Sequence, residues 1–288
     1  MKKYFSLVLF AHSIFAMPFA LIGFFLGVSR TDAPFSWIKL LLVVLCMVFA
    51  RNAAMAFNRY LDRDIDAKNP RTADRDIPAG RVSAREAFLF VVLNCMLFMA
   101  ATWFINPLCF YLAPVALFVV LFYSYTKRFT ALCHLVLGLG LALAPIGAYI
   151  AVTGKFDLVP LLYSFTVLFW TGGFDIIYAL QDEDFDKQAK LHSIPSLLGR
   201  RRALQVSVAL HVLSACCVIA PLFFSTFGPV YYIGLIFFCA MLVYQHLLVK
   251  PDDISKVNRA FATTNGIASV IFAVCFLIDT FIRTYPNI

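Results

Sequence analysis

The sequence predicts an all-α membrane protein that crosses the bilayer many times, and three features carry that expectation. Its 288 residues are 62% hydrophobic and only 14% charged, whereas soluble domains carry roughly 25% charge. The apolar residues run in long unbroken stretches without alternation. This favours helices over barrel strands, the two structures that satisfy their backbone groups inside hydrocarbon. The charges, finally, gather in short clusters between those stretches.

A crossing needs about 20 apolar residues. Cutting the chain at its charge clusters and Pro/Gly breaks gives nine spans, near 4–28, 36–60, 85–104, 107–125, 129–152, 157–180, 201–224, 227–249 and 258–282. They are expected to form a single domain over 1–288. The first span follows Lys2 and Lys3 and lacks an A-x-A cleavage site, so it reads as a retained helix, not a cleaved signal. Asn106-Pro107 and Gly228-Pro229 read as tight hairpins.

With alternating spans, eighteen of the 24 Lys and Arg share the side of the N-terminus; Arg30, Lys39, Lys155 and Arg283 lie opposite, and Arg51 and Arg59 lie inside the second span. The positive-inside rule makes the richer side cytoplasmic, with the chain in the inner (cytoplasmic) membrane. The net charge of +8 follows from that topology and from contact with anionic lipid; it implies no nucleic-acid partner. The eight cysteines form no C-x-x-C pair and read as small buried hydrophobes. His12, His134, His192, His211 and His246 show no ligand spacing and read as packing or surface residues.

The acidic residues are the least evenly spread. Asp62, Asp64, Asp66, Asp74 and Asp76 follow the second span, and Asp182, Glu183, Asp184 and Asp186 follow the sixth, both on the cytoplasmic side. On a continuing helix, Asn58, Asp62 and Asp66 fall on one face at i, i+4 and i+8. Tyr178, Asp182 and Asp186 repeat the spacing, with Asp175 two turns upstream. Each cluster leads into a similar tail, DIPAGRVSAREA and SIPSLLGRRRAL, as if duplicated. One D-x-x-x-D would read as a solvated helix end balancing the basic loops. Two at matched ends, each preceded by polar intramembrane residues, read as a site. Arg51, on the face of Asn58, and Asp175 strengthen this, because ionisable residues inside a span point to function.

Carboxylates stacked in this way repel, and more so at a poorly hydrated boundary. Mg²⁺ answers that need: it prefers carboxylate and amide oxygens and commonly binds through one or two carboxylates plus substrate phosphates. Two such faces could hold a diphosphate through Mg²⁺, with Arg and Lys on its remaining oxygens. An allylic diphosphate so held can ionise to a carbocation, which some of the 31 Phe, 12 Tyr and 3 Trp could stabilise with their π faces. A long isoprenoid tail would explain why the site lies in a lipid bilayer.

These residues resemble the motifs of the UbiA family of intramembrane aromatic prenyltransferases. The family's N-D-x-x-D-x-x-x-D is similar to Asn58 through Asp66, and its D-x-x-Y-A-x-x-D-x-x-x-D to Asp175 through Asp186. YSYTKRFT and KNPRTADRDIPAG resemble two further family stretches. The resemblance spans the whole chain and implies nine helices around a central cavity. It implies Mg²⁺ on Asn58, Asp62, Asp66, Asp182 and Asp186, with Arg71, Arg75 and Lys127 as diphosphate partners and Arg128 and Tyr178 beside them. Tyr123 reads equally as a belt tyrosine or a contact to the allylic group. The substrates implied are a polyprenyl diphosphate and an aromatic acid, with Arg51 pairing the acid group and Asp175 taking a proton or orienting the ring. The members using 4-hydroxybenzoate are most similar, which points to ubiquinone or menaquinone-type biosynthesis. NRYLDRDIDAKNPRTADRDIPAG also looks like relatives on the futalosine route to menaquinone, whose acceptor differs. Arg59 stands where many members have Asp; its spacing puts it off the metal-binding face and leaves the number of metal ligands open.

Two other classes fit the residues less well. A CDP-alcohol transferase needs a D-G-x-x-A-R segment that the chain lacks. A cation-coupled transporter would use Asp62 or Asp182 near the bilayer midplane on broken helices, not at its boundary.

Overall fold

The computed structural model describes residues 16–31 and 35–284, and its regular secondary structure is helical throughout. In chain order the helices are α1 (Met17–Ser29), α2 (Trp37–Leu61), α3 (Arg63–Asp66), α4 (Ala84–Ile105), α5 (Pro107–Thr126), α6 (Cys133–Thr153), α7 (Leu158–Ala179), α8 (Glu183–Gln188), α9 (Ile194–Ile219), α10 (Pro229–Leu248) and α11 (Asn265–Thr284). Eight segments of these residues are long and apolar enough to cross a membrane, and α1 is a shorter apolar helix. They match the nine expected spans; the part of the first span before residue 16 lies outside the described residues.

Polar caps set most boundaries. Ser36, Asn106 and Asp157 accept from backbone N–H groups of the first turns of α2, α5 and α7, and Ser83 with Glu86 forms a capping box on α4. A second box, Ser193 with Ser196, starts α9 at Ile194, ahead of the expected 201. Gly199 then breaks that helix at φ 75, a conformation open to glycine. Expected residue 129 proves to lie in turns, and α6 begins at Cys133.

The broadest helix contacts join α6 to α7, α7 to α9, α2 to α4 and α1 to α6. Gly138 lets α6 approach α7 so closely that an added Cβ would strike the Leu168 carbonyl, the close packing that small residues allow between membrane helices. Phe19, Trp170, Phe238 and Phe272 form a buried aromatic centre. The Trp170 indole donates to Asn265 Oδ1 at 2.8 Å, and Asn265 in turn donates to the carbonyls of Ala260 and Phe261 in a π-helical turn ahead of α11. Trp37, Trp103, Phe104, Phe118 and Ile236 are exposed and form an outer surface suited to lipid.

The cysteines correct an expectation. All eight are free, seven half-buried and Cys216 exposed. Lipid is as apolar as the interior, so a membrane helix has no need to turn a thiol inward. The expected hairpin at Asn106 does more than turn the chain, since its amide also donates to the carbonyls of Ile150 and Ala151 at the end of α6. Asn106→Ala removes both the cap and this tie. We expect it to cost about 1–2 kcal/mol, read as a lower melting temperature in detergent; an unchanged melting curve would contradict the assignment.

Candidate active site at the matched helix ends

Neither acidic stretch continues its helix, which corrects the expectation of one unbroken face. α2 stops at Leu61, and Asp62 takes φ −89, ψ 5 before α3. α7 stops at Ala179, and after a 3-10 turn Asp182 takes φ −104, ψ 5 before α8. Both lie in the bridge region, where turn and active-site residues are found, and both carboxylates are drawn to cations from other segments. The four-residue contacts survive locally: Asp62 N–H donates to Asn58 O at 2.9 Å, Asp66 N–H to Asp62 O at 2.7 Å, and the Asn58 amide to Asp62 Oδ2 at 3.1 Å. The duplication extends to the backbone, since Gly80 and Gly199, each following an Ile-Pro, have φ of 71 and 75.

The two ends meet. Arg71, from the loop after α3, donates through Nε to Asp182 Oδ1 at 2.8 Å and through Nη2 to Oδ2, while its Nη1 reaches Tyr178 Oη at 3.0 Å. Asn69 adds a bond to the same carboxylate at 3.0 Å. Lys127, at the end of α5, lies 2.9 Å from Asp62 Oδ2 and is also a charged neighbour of Asp186, which bonds Ser193. Arg128 holds Asp62 Oδ1 at 2.8 Å together with the carbonyls of Leu61 and Ser124, and Arg75 Nη1 donates to both oxygens of Asp66 at 2.9 Å. Asp62 and Asp66 are 1% and 4% exposed, so a cation on each is an electrostatic requirement. Burial alone would pull the Arg71 guanidinium down, but the bonds and charge of Asp182 outweigh it and raise its pKa above the ordinary arginine value.

Next to this ring of charges lies a cavity of about 490 Å³, walled by Arg51, Asn58, Arg75, Tyr123, Asp175 and Tyr178 among apolar side chains. Arg51 Nε is buried without a hydrogen-bond partner, so a fixed positive charge sits inside the membrane part of the cavity. Asp175 Oδ2 lies 2.7 Å from His134 Nδ1, while His134 Nε2 lies 3.2 Å from Ile194 N. Because that backbone N–H must donate, Nε2 carries the lone pair and Nδ1 the proton: a neutral His134 donates to Asp175. Tyr178 stacks on Phe261, with ring centroids 4.1 Å apart.

Sequence reasoning passed over four participants. Asn69 lay unremarked inside the KNPRT stretch. Asp76 was counted among the acidic residues without a role. His134 gave no signal at all, being 41 residues from Asp175, and Phe261 meets Tyr178 only through the fold. Arg59, expected off the motif face, also lines the cavity.

Among the described residues no cluster of three or more His, Cys, Asp or Glu stands ready to hold a metal. The donors present are hard oxygens on two opposed ends. They suit a divalent ion that takes one or two carboxylates and completes its shell with water and substrate oxygens.

A profile of the UbiA prenyltransferase family matches residues 16–273. The chain is 32% identical to a 4-hydroxybenzoate octaprenyltransferase of Tolumonas auensis, covering 82% of both sequences. It is 30% identical to one of Aeromonas hydrophila, covering 86% of both. A UbiA homolog from Aeropyrum pernix K1, solved in its apo form, superposes with a TM-score of 0.84 at 31% identity, over 93% of this chain and 98% of that one. A UbiA homolog from Archaeoglobus fulgidus bound to GPP and Mg²⁺ shares the fold, with a TM-score of 0.76 at 22% identity over 96% and 99%.

Removing the Arg71 side chain leaves Asp182 without its guanidinium and frees the loop over 67–82. Arg71→Ala is expected to speed amide hydrogen exchange in that loop about fivefold, from a charge-assisted bond worth ~1 kcal/mol after solvent screening. Unaltered protection would show that the contact does not hold the two ends together.

Proposed function

Because this chain belongs to the UbiA prenyltransferase family, we propose that it transfers a polyprenyl group from a polyprenyl diphosphate to an aromatic acid, with Mg²⁺ and both acidic helix ends holding the diphosphate. The observation that carries this reading is the bridge between the ends, Arg71 on Asp182 and Lys127 between Asp62 and Asp186. Basic side chains hold the places where a metal and an anion would sit, and they can exchange a carboxylate for a phosphate oxygen by turning.

Asn58, Asp62, Asp66, Asp182 and Asp186 would hold Mg²⁺, which supplies Lewis-acid neutralisation of the departing diphosphate. Arg71, Arg75 and Lys127 then face phosphate oxygens, and Arg128 keeps its hold on the Leu61 carbonyl and Asp62. The C1–O bond of the prenyl group breaks with its electron pair going to the diphosphate, and the aromatic side chains lining the cavity, Tyr123, Tyr178 and Phe261, would surround the allylic cation. Arg51, which needs an anion, pairs the carboxylate of the aromatic acid and sets its ring against C1. Once the carbon–carbon bond has formed, the ring gives up its proton to Asp175, held in place by His134.

The names of the Tolumonas and Aeromonas relatives support 4-hydroxybenzoate as acceptor, and with it a place in quinone biosynthesis. The longer motif stretch supports an aromatic acid of the futalosine route as the second reading. The chain is proposed to act as one domain over 1–288. Both motifs would open to the cytoplasm at the inner membrane, in keeping with the concentration of Lys and Arg at their end.

Membranes carrying the protein, given a long-chain prenyl diphosphate, Mg²⁺ and a panel of aromatic acids, should yield prenylated acid detectable by mass. Which acid reacts decides between the two readings, and no product from any acid would count against both. Chelation should stop the reaction and Mg²⁺ restore it. Asp62→Asn and Asp182→Asn should each lower turnover by roughly 100-fold or more, the scale of losing an electrostatic contact made in the transition state. Arg51→Gln should raise KM for the aromatic acid about tenfold, the cost of one charge-assisted contact, with little change for the prenyl diphosphate. An unmoved acceptor KM would remove Arg51 from that role.

A further inference from the structure

Arg59 has no part in the mechanism above, and its surroundings are unusual for a buried charge. It lies on α2 one residue beyond Asn58, is 8% exposed, and lines the cavity beside Asn58 and Arg75. Its counter-charge is Asp76, which its Nη1 meets only at 3.5 Å, the edge of bonding distance. The other oxygen of Asp76 is better occupied, taking Arg81 Nε at 2.9 Å. Arg75, whose positive charge bears unfavourably on Arg59, is itself committed to Asp66. A guanidinium has five N–H donors, and here one of them makes a single long bond in a place where an unmatched charge is costly.

From this geometry we infer that Arg59 is a direct contact for the diphosphate, a residue of substrate binding additional to those already assigned. The inference rests on the reading of the site given above. Position decides which anion Arg59 meets. It stands eight residues from Arg51, about 12 Å along the helix at roughly 1.5 Å per residue, and so lies away from the carboxylate of the aromatic acid. It is three residues from Asp62, and Asp66 and Arg75 are its charged neighbours, so it faces the same end of the cavity as the acidic ring. A diphosphate there offers several anionic oxygens to a planar donor that needs them. Asp76, at 3.5 Å and shared with Arg81, is too distant to satisfy the guanidinium and leaves it able to turn to a phosphate oxygen. Because the charge of Arg59 is permanent, part of the affinity for diphosphate survives without metal.

The test is calorimetric binding of farnesyl thiolodiphosphate, an analogue that resists ionisation, to the purified full-length protein, in Mg²⁺ and again in EDTA. Wild type is expected to bind in both. Arg59→Gln should weaken binding about tenfold in each condition, the scale of one charge-assisted contact, and Arg59→Lys should weaken it less. KM for the aromatic acid should not move. Equal affinity of Arg59→Gln and wild type overturns the inference, as does an effect confined to the aromatic acid. Asp76→Asn separates binding from scaffolding: a freed Arg59 keeps or raises affinity, whereas a structural pair loses affinity in either variant. Should Arg59→Gln not fold, Asp76→Asn decides alone by the same outcomes. Failure of wild type to bind the analogue in Mg²⁺ overturns the diphosphate reading of the whole site, a result distinct from the loss of this one contact.

Discussion

Carboxylates from two distant parts of the chain are brought together at one end of an apolar helix bundle, where water is scarce and like charges repel. Everything else at the site answers that constraint. Asp62 is held by Lys127 and Arg128, Asp66 by Arg75, and Asp182 by Arg71 and Asn69. The cations come from loops and helix ends that would otherwise have no reason to meet: Arg71 from the turn after α3, Lys127 from the end of α5. The contact of Arg71 and Asn69 with Asp182 therefore also works as a fold contact, tying the two halves of the duplicated motif together, while Lys127 and Arg128 tie the end of α5 to the first half. Such pairs add little to stability in themselves, but they hold the carboxylates in place, and under the proposed reading they are exchanged for a metal and a phosphate.

The cavity carries the same logic inward. Polar and charged residues sit on its wall at more than one depth: Asn58, Arg59 and Arg75 near the ring, Arg51 farther along α2, and Asp175, which is bonded to His134 behind it. Aromatic and aliphatic side chains fill the intervals. A ligand anionic at one end and apolar along its length would match this distribution, and a second, smaller anion would match Arg51. Rigid backbone supports the arrangement. The close approach of α6 to α7 at Gly138, the Trp170–Asn265 bond and the Asn106 tie between α5 and α6 all lie in the bundle that carries these residues.

Much of this could be read from local patterns. Helices follow from apolar run length, and Arg51 and Asp175 stand out because ionisable residues are costly inside a span. Asn58, Asp62, Asp66, Tyr178, Asp182 and Asp186 stand out by their spacing, as do Arg71, Arg75 and Lys127 by family resemblance. What could not be read depends on partners far along the chain. The helix breaks at Asp62 and Asp182 occur where carboxylates turn toward cations of other segments, and periodicity extends a helix through them. His134 acquires a role only by meeting Asp175 and Ile194, and His211 and His246, 35 residues apart, prove to be hydrogen-bonded at 2.7 Å. Arg59 was placed by helical angle relative to the motif face, which says nothing of Asp76 or of a cavity wall.

The central claim is that the two acidic ends act as one receptor, exchanging internal ion pairs for a metal-bound diphosphate. A structure of the protein with Mg²⁺ and a thiolodiphosphate analogue tests it most directly. The account predicts the diphosphate between Asp62–Asp66 and Asp182–Asp186, with Arg71 and Lys127 turned from carboxylate to phosphate oxygens. A diphosphate held at one end alone, with Arg71 still on Asp182 and Lys127 still on Asp62, would contradict it.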